Sequence, residues 1–149
     1  MKPSVKALIV NNKKLLLILR DNIPTITDPN KWSLAGGEIE EGETDRQALI
    51  RELQEELNMQ PKQVIYLGKM TVGVDHSFYF VPLNDEEVSQ LKLGNEGQEF
   101  KFFSVDEISN LDLAQNIAKY FPLVRDHLKE IIEENKKPEL QRLGLSISH

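Results

Sequence analysis

Apolar and polar positions change period along this chain, and the changes mark its elements. Val5 to Val10 and Leu15 to Leu19 are β-branched or apolar runs separated by Asn11-Asn12-Lys13-Lys14, which predicts two strands joined by a tight hairpin. The following DNIPTITDPNK, Asp21 to Lys31, holds two prolines and four Asp or Asn residues and reads as an ordered, irregular loop. From Thr44 the period becomes helical, with Leu49, Ile50, Leu53 and Leu57 on a packing stripe. Thr44 and Gln47 form a capping-box signature, Asn58 suits a left-handed terminator, and Pro61 blocks continuation, so the helix spans Thr44 to about Asn58.

Beyond it, Gln63 to Val72 and Val74 to Leu83 predict a second strand pair around Gly73. Asp85 to Leu93 predicts a short helix, Gln98 to Ser104 a strand, and Val105 to Ser109 a helical turn. Leu123, Val124, His127, Leu128, Ile131 and Ile132 recur at helical spacing after Pro122 and predict a long closing helix. Hairpins mixed with helices, rather than strict alternation of strand and helix, argue an α/β (α+β) fold with a mixed sheet between helices. One domain over residues 1–137 is expected, with 138–149 as a tail without clear periodicity.

Composition narrows the function classes. With 149 residues the chain is long enough for one sizeable core, and without cysteine it has neither disulfides nor a zinc–thiolate site. Its apolar runs fall far short of the roughly 20 residues that span a bilayer, so a cytoplasmic protein with no membrane partner is expected. The net charge of −6 repels polyphosphate, and no basic stripe compensates it. Long nucleic acid is therefore not an expected partner, and a phosphate-bearing ligand would need a cation to mediate the encounter.

The acidic excess is concentrated. Between Glu38 and Glu56 there are eight acidic residues against Arg46 and Arg51. At about 100° per residue, Glu52, Glu55 and Glu56 share one helix face with Ala48 beside them. Like charges at such spacings cost roughly 0.2–0.5 kcal/mol per pair, and anions in a last helical turn oppose the macrodipole. No lysine between Thr44 and Asn58 relieves the face. A solvated acidic surface is one reading and a hard-cation site the other, since Mg2+ takes oxygen ligands. Gly36-Gly37 just upstream is either a plain turn or a place where backbone approaches an ion or phosphate closely.

Spacing brings these features together. Gly37, five residues, Glu43, seven residues, then Arg51-Glu52-Leu53-Gln54-Glu55-Glu56 resembles the box of the Nudix hydrolase family, which runs here from Gly37 to Met59. Asn58 stands where the family usually has Gly, and Ala35 where it usually has Pro; the second is expected to loosen a loop. The N-terminal hairpin ending in LLLILR and the later EGQEFKFFSVDEI extend the resemblance over most of the chain.

The resemblance implies a Nudix-like α/β/α sandwich and a pyrophosphohydrolase that uses Mg2+, with Mn2+ as a substitute. It implies metal ligation by Glu52, Glu55, Glu56 and the carbonyl of Gly36, with Arg51 orienting carboxylates, Glu43 among them. Glu96 is the favoured extra ligand or base, and Glu52 and Glu96 both remain candidates for the general base. Arg20, Trp32, Gly37 and Glu99 are the candidate substrate contacts. Glu99 has a plain solvated reading, and Trp32, Phe78 and Tyr79 are stacking candidates that core packing would equally explain. His76 and His127 read as structural or exposed. The implied substrate is a nucleoside triphosphate, oxidised ones such as 8-oxo-dGTP included, or another nucleoside diphosphate derivative. ADP-ribose or nucleotide-sugar hydrolysis is the near alternative, and a noncatalytic nucleotide-binding regulator the distant one. Monomer and homodimer are both open.

Overall fold

The computed structural model describes residues 2–118, 121, 125 and 129–132. Strands β1 (Ser4–Asn11) and β2 (Lys14–Leu19) form the expected hairpin, turned by Asn12 and Lys13 at φ 49° and 62°. Positive φ at both turn residues matches the right-handed twist of the strands they join. Every residue from Ser4 to Val10 is buried, as befits a strand at the centre of a covered sheet.

The second hairpin, β5 (Ile65–Val72) and β6 (Val74–Pro82), turns at Gly73. It does not stand apart: β6 lies parallel to β1 from Ser4↔His76 to Val10↔Pro82. Two short strands, β3 (Trp32–Ser33) and β4 (Ala35–Glu38), complete this region, and β7 (Glu99–Phe103) pairs antiparallel with β2. The central order is β3-β2-β1-β6-β5, with β4 on β1 and β7 on β2. Along one edge, β1 thus pairs with β2 near Val10 and with β4 from Ser4 to Ala7. The sheet is forked there.

Side-chain alternation assigns the two faces. Val5, Ala7, Ile9, Leu16 and Ile18 pack with Ala48, Leu49, Leu53 and Leu57 of helix α1 (Asp45–Leu57). Leu8, Val10, Leu15 and Leu17 pack on the opposite side with Phe78, Phe80, Phe103, Phe121, Ile131 and Ile132. Phe121, Arg125 and 129–132 are helical, so helices cover both faces and the α/β/α sandwich is realised. Leu123, Val124, His127, Leu128 and the 138–149 segment lie outside the described residues.

Several boundaries differ from expectation for physical reasons. Gly36-Gly37 lies in strand β4 rather than in a bend, and Ala35 is fully buried against Ala7 instead of loosening a loop. Ile50 is not on the packing stripe; with Arg46 and Gln54 it lines an outward cleft, while Ala48 takes a fully buried place. Helix α2 (Asp85–Ser89) is shorter than predicted, because Lys92 and Gly94 give their N–H groups to the carbonyls of Leu57 and Glu56, at 3.0 and 2.8 Å. Helix α3 (Val105–Ile108) is the predicted helical turn, whereas α4 (Gln115–Ala118) follows a bridge between Trp32 and Leu113 that sequence periodicity did not signal. Among the described residues, no helix is long and apolar enough to cross a membrane.

Candidate active site

Helix α1 is fixed at both ends. Thr44 accepts from the Gln47 N–H at 3.1 Å, while the Gln47 side chain accepts from the Thr44 N–H at 2.9 Å. Asn58 caps the other end at φ 52°, giving its N–H to Gln54 and Leu53 and its side-chain Nδ2 to the Lys92 carbonyl at 2.8 Å. A glycine could supply the left-handed turn, but this side chain also adds a tie to the 90–98 segment beside the backbone bonds from Lys92 and Gly94. Against this rigid rod lies β4. Gly36 has φ 135°, and a Cβ there would meet the Val5 carbonyl at 2.1 Å; a Cβ on Gly37 would lie 2.5 Å from the carboxyl carbon of Glu52. The two glycines let the strand enter the narrow space between β1 and the acidic face of α1.

The carboxylates divide between two anchors. Gly36 donates its N–H to Glu56 Oε1 at 2.7 Å. Arg51 makes a two-pronged pair with Glu43 at 2.7 and 2.9 Å, reaches Glu52 at 2.9 Å and Glu55 at 3.4 Å through Nη1, and donates to the Glu38 carbonyl at 3.0 Å. One guanidinium thus partly neutralises the charge cluster from within, its planar fork suiting several carboxylates at once. Among the described residues, no three acidic or histidine side chains already converge as a metal cage.

Protonation follows these environments. Burial pushes the Glu56 carboxyl up to about 8, against the lowering effect of the Gly36 hydrogen bond. Burial also raises Glu52, opposed by its bond to Arg51. The Arg51 hydrogen bonds hold Glu43 down to about 2, and Glu43 in turn raises Arg51. Glu56 is thus the group most in want of a positive partner.

The remaining candidates sit around this centre at different distances. Glu96 is exposed yet close enough for its charge to raise Glu56, while exposed Glu99 opens β7 opposite Leu19. Arg20 spends Nε on the Thr27 carbonyl at 2.8 Å. Trp32 packs edge-on against Phe103 with centroids 4.8 Å apart. Phe78 belongs to the cluster opposite α1, and Tyr79 to the α1 cluster with Tyr66 5.4 Å away. His76 Nδ1 shares a 2.5 Å hydrogen bond with Ser4 Oγ. The Asp21–Lys31 loop is tied to the 94–98 segment by Asp21 accepting from the Gly97 N–H and by Gln98 donating to Asn30 and to the Arg20 carbonyl.

One residue escaped the sequence reading. Lys6 is only 8 % exposed, and its pKa is lowered by burial despite the carboxylates of Glu56, Glu52 and Glu38 nearby. The signal was present as a single charged residue inside the apolar run Val5 to Val10.

With this geometry in hand, similarities to known proteins fall into place. A family model, the NUDIX domain, matches residues 1–124. The ADP-ribose pyrophosphatase of Methanocaldococcus jannaschii is 31% identical over 112 residues, 72% of this chain and 64% of that protein. The CTP pyrophosphohydrolase of Escherichia coli is 44% identical over 57 residues, 38% of this chain and 40% of that protein. The aligned part of this chain therefore spans less than two thirds of the length of either relative. Among solved structures, the MutT protein of Methanosarcina mazei Go1 superposes with a TM-score of 0.66 at 27% identity, covering 91% of this chain and 96% of that one. Glycine-lined strand, acidic helix and family match together establish that this chain belongs to the Nudix hydrolase family.

Proposed function

We propose that this protein hydrolyses a phosphoanhydride bond in a small nucleotide, with Mg2+ as its ordinary metal and Mn2+ as a substitute. The observation that carries the proposal is the buried Glu56 carboxyl, pushed up to about 8 and backed by Glu52 and Glu55 across a strand stripped of side chains at Gly36 and Gly37. Such a group fits a hard dication, which would remove the penalty of burying its charge. Glu52, Glu55, Glu56 and the Gly36 carbonyl would hold the ion, with Glu96 as the additional carboxylate. When bound, the metal lowers the pKa of a water and neutralises charge on the diphosphate.

The protein's own groups do the rest. Arg51 fixes Glu52 through Nη1 and fixes the loop through Glu43 and the Glu38 carbonyl. Glu52 or Glu96 accepts the proton of the attacking water; the water oxygen bonds to phosphorus as the bridging P–O bond breaks and its electron pair leaves with the departing phosphate oxygen. Arg20, Trp32, Gly37 and Glu99 are the proposed substrate contacts.

A nucleoside triphosphate, 8-oxo-dGTP included, is the first substrate class. ADP-ribose is the second, favoured by the name of the Methanocaldococcus relative, whose match runs over 112 residues. The test is a panel of nucleoside triphosphates, 8-oxo-dGTP, ADP-ribose and a nucleotide sugar, with metal withheld and then restored. Turnover should require metal, and Glu52→Gln and Glu56→Gln should each lower it by roughly 100-fold or more. Near wild-type turnover in both variants would refute the assignment.

A further inference from the structure

Lys6 sits where a charge is costly. Its strand neighbours Val5 and Ala7 pack toward α1, so alternation turns Lys6 to the other face, in line with Ser4 and Leu8. There it is flanked in register by Gly36 on β4 and by Phe78 on β6. Gly36 has no side chain to cover it, and Phe78 brings no carboxylate. At 8 % exposure the residue does not reach bulk water as surface lysines do.

Glu56, Glu52 and Glu38 act on Lys6 electrostatically, yet among the described residues none approaches within the 4.0 Å of an ion pair. Nor does the ammonium donate a hydrogen bond to any described residue. A buried lysine is ordinarily paired, because an unpaired one forfeits its hydration with nothing in return. Here a cation with three donors is held beside the glycine strand that borders the acidic face of α1.

We infer that Lys6 is a phosphate-binding residue of this site, contacting a non-bridging oxygen of the substrate's diphosphate from the sheet face opposite α1. The inference rests on the hydrolase reading for the identity of the ligand, but a diphosphate is the ligand chemistry that three ammonium donors beside a metal site would recognise. Lys6 would supply the positive charge that the net charge of −6 otherwise denies an incoming polyphosphate.

The test is calorimetric titration of inorganic pyrophosphate, in the presence of Mg2+, into wild-type protein, Lys6→Met and Lys6→Gln, with Mn2+ affinity and ligand-free melting measured alongside. Both variants should bind pyrophosphate about 10- to 100-fold more weakly, with Mn2+ affinity within about twofold of wild type. Lys6→Met should also melt higher, because an unpaired buried charge is gone. Unchanged pyrophosphate affinity overturns the assignment, as does absence of pyrophosphate binding by the wild type or an equal loss of Mn2+ and pyrophosphate. Turnover on the nucleotide panel is read separately: a wild type that binds pyrophosphate through Lys6 but hydrolyses nothing would defeat the hydrolase reading alone.

Discussion

The proton on Glu56 links the chemistry of the site to the stability of the fold. Its carboxyl is raised by burial from an ordinary 4.5 to about 8. Between those values the folded state holds a proton that the unfolded chain releases, so the stabilisation is complete below about pH 4.5 and is lost as pH rises through 8. Metal-free protein should therefore melt progressively lower from pH 5 to pH 8.5 in a scanning experiment, and Glu56→Gln should flatten that slope and raise the melting temperature at pH 8. A slope of the opposite sign would refute the burial argument. Glu43 works in reverse: held down to about 2 by Arg51, it contributes stability above 4.5 that disappears as the pH falls toward 2. Because a dication and a proton compete for Glu56, metal should bind more tightly as pH rises over the same range. Of these residues, Glu52, Glu55 and Glu56 were evident from spacing, since helical periodicity alone places them on one face. Lys6 was not, because a lysine in an apolar strand shows its lack of a partner only once the neighbouring strands are in place.

At the scale of elements, α1 acts as a rod whose two ends are secured by different means. The Thr44 capping box is local and was legible in four consecutive residues; Thr44→Ala should cost about 1 kcal/mol in urea unfolding. The Asn58 end is partly tertiary. Asn58→Ala should cost about 1–2 kcal/mol for the left-handed turn alone, while Asn58→Gly should keep the turn and lose only the bond to Lys92. Gly94 is more critical, since a Cβ there would lie 1.9 Å from the Glu55 carbonyl. Gly94→Ala should displace the turn that bears Glu55 and Glu56, lowering both melting temperature and metal affinity several-fold, as metal titration would show. Unaltered metal affinity would mean that the 90–98 segment does not position the carboxylates. Short elements were the least legible: β3 and β4 are too brief for any period, and their existence depends on the strands they join.

Across the whole molecule, one sheet is shared by two cores. Leu16 and Leu17 are adjacent and both fully buried, yet one packs toward α1 and the other toward the opposite helical layer. Each leucine-to-alanine change should cost about 2–5 kcal/mol, and each variant should still unfold in a single transition followed by both fluorescence and circular dichroism. Two separated transitions in either variant would show that the layers fold independently. The sequence by itself determined the hairpins, the capped acidic helix and the family to which they belong, because hydrophobic period, capping and motif spacing are read along the chain. Only the tertiary structure decided that β1 lies parallel to β6, that Gly36 and Gly37 thread a strand past Glu52 and Glu56, and that Lys6 is buried without an ion-pair partner among the described residues. Those facts arise from contacts between residues up to about 70 positions apart, where pairing, burial and the local field are set by neighbours that no short window of sequence contains.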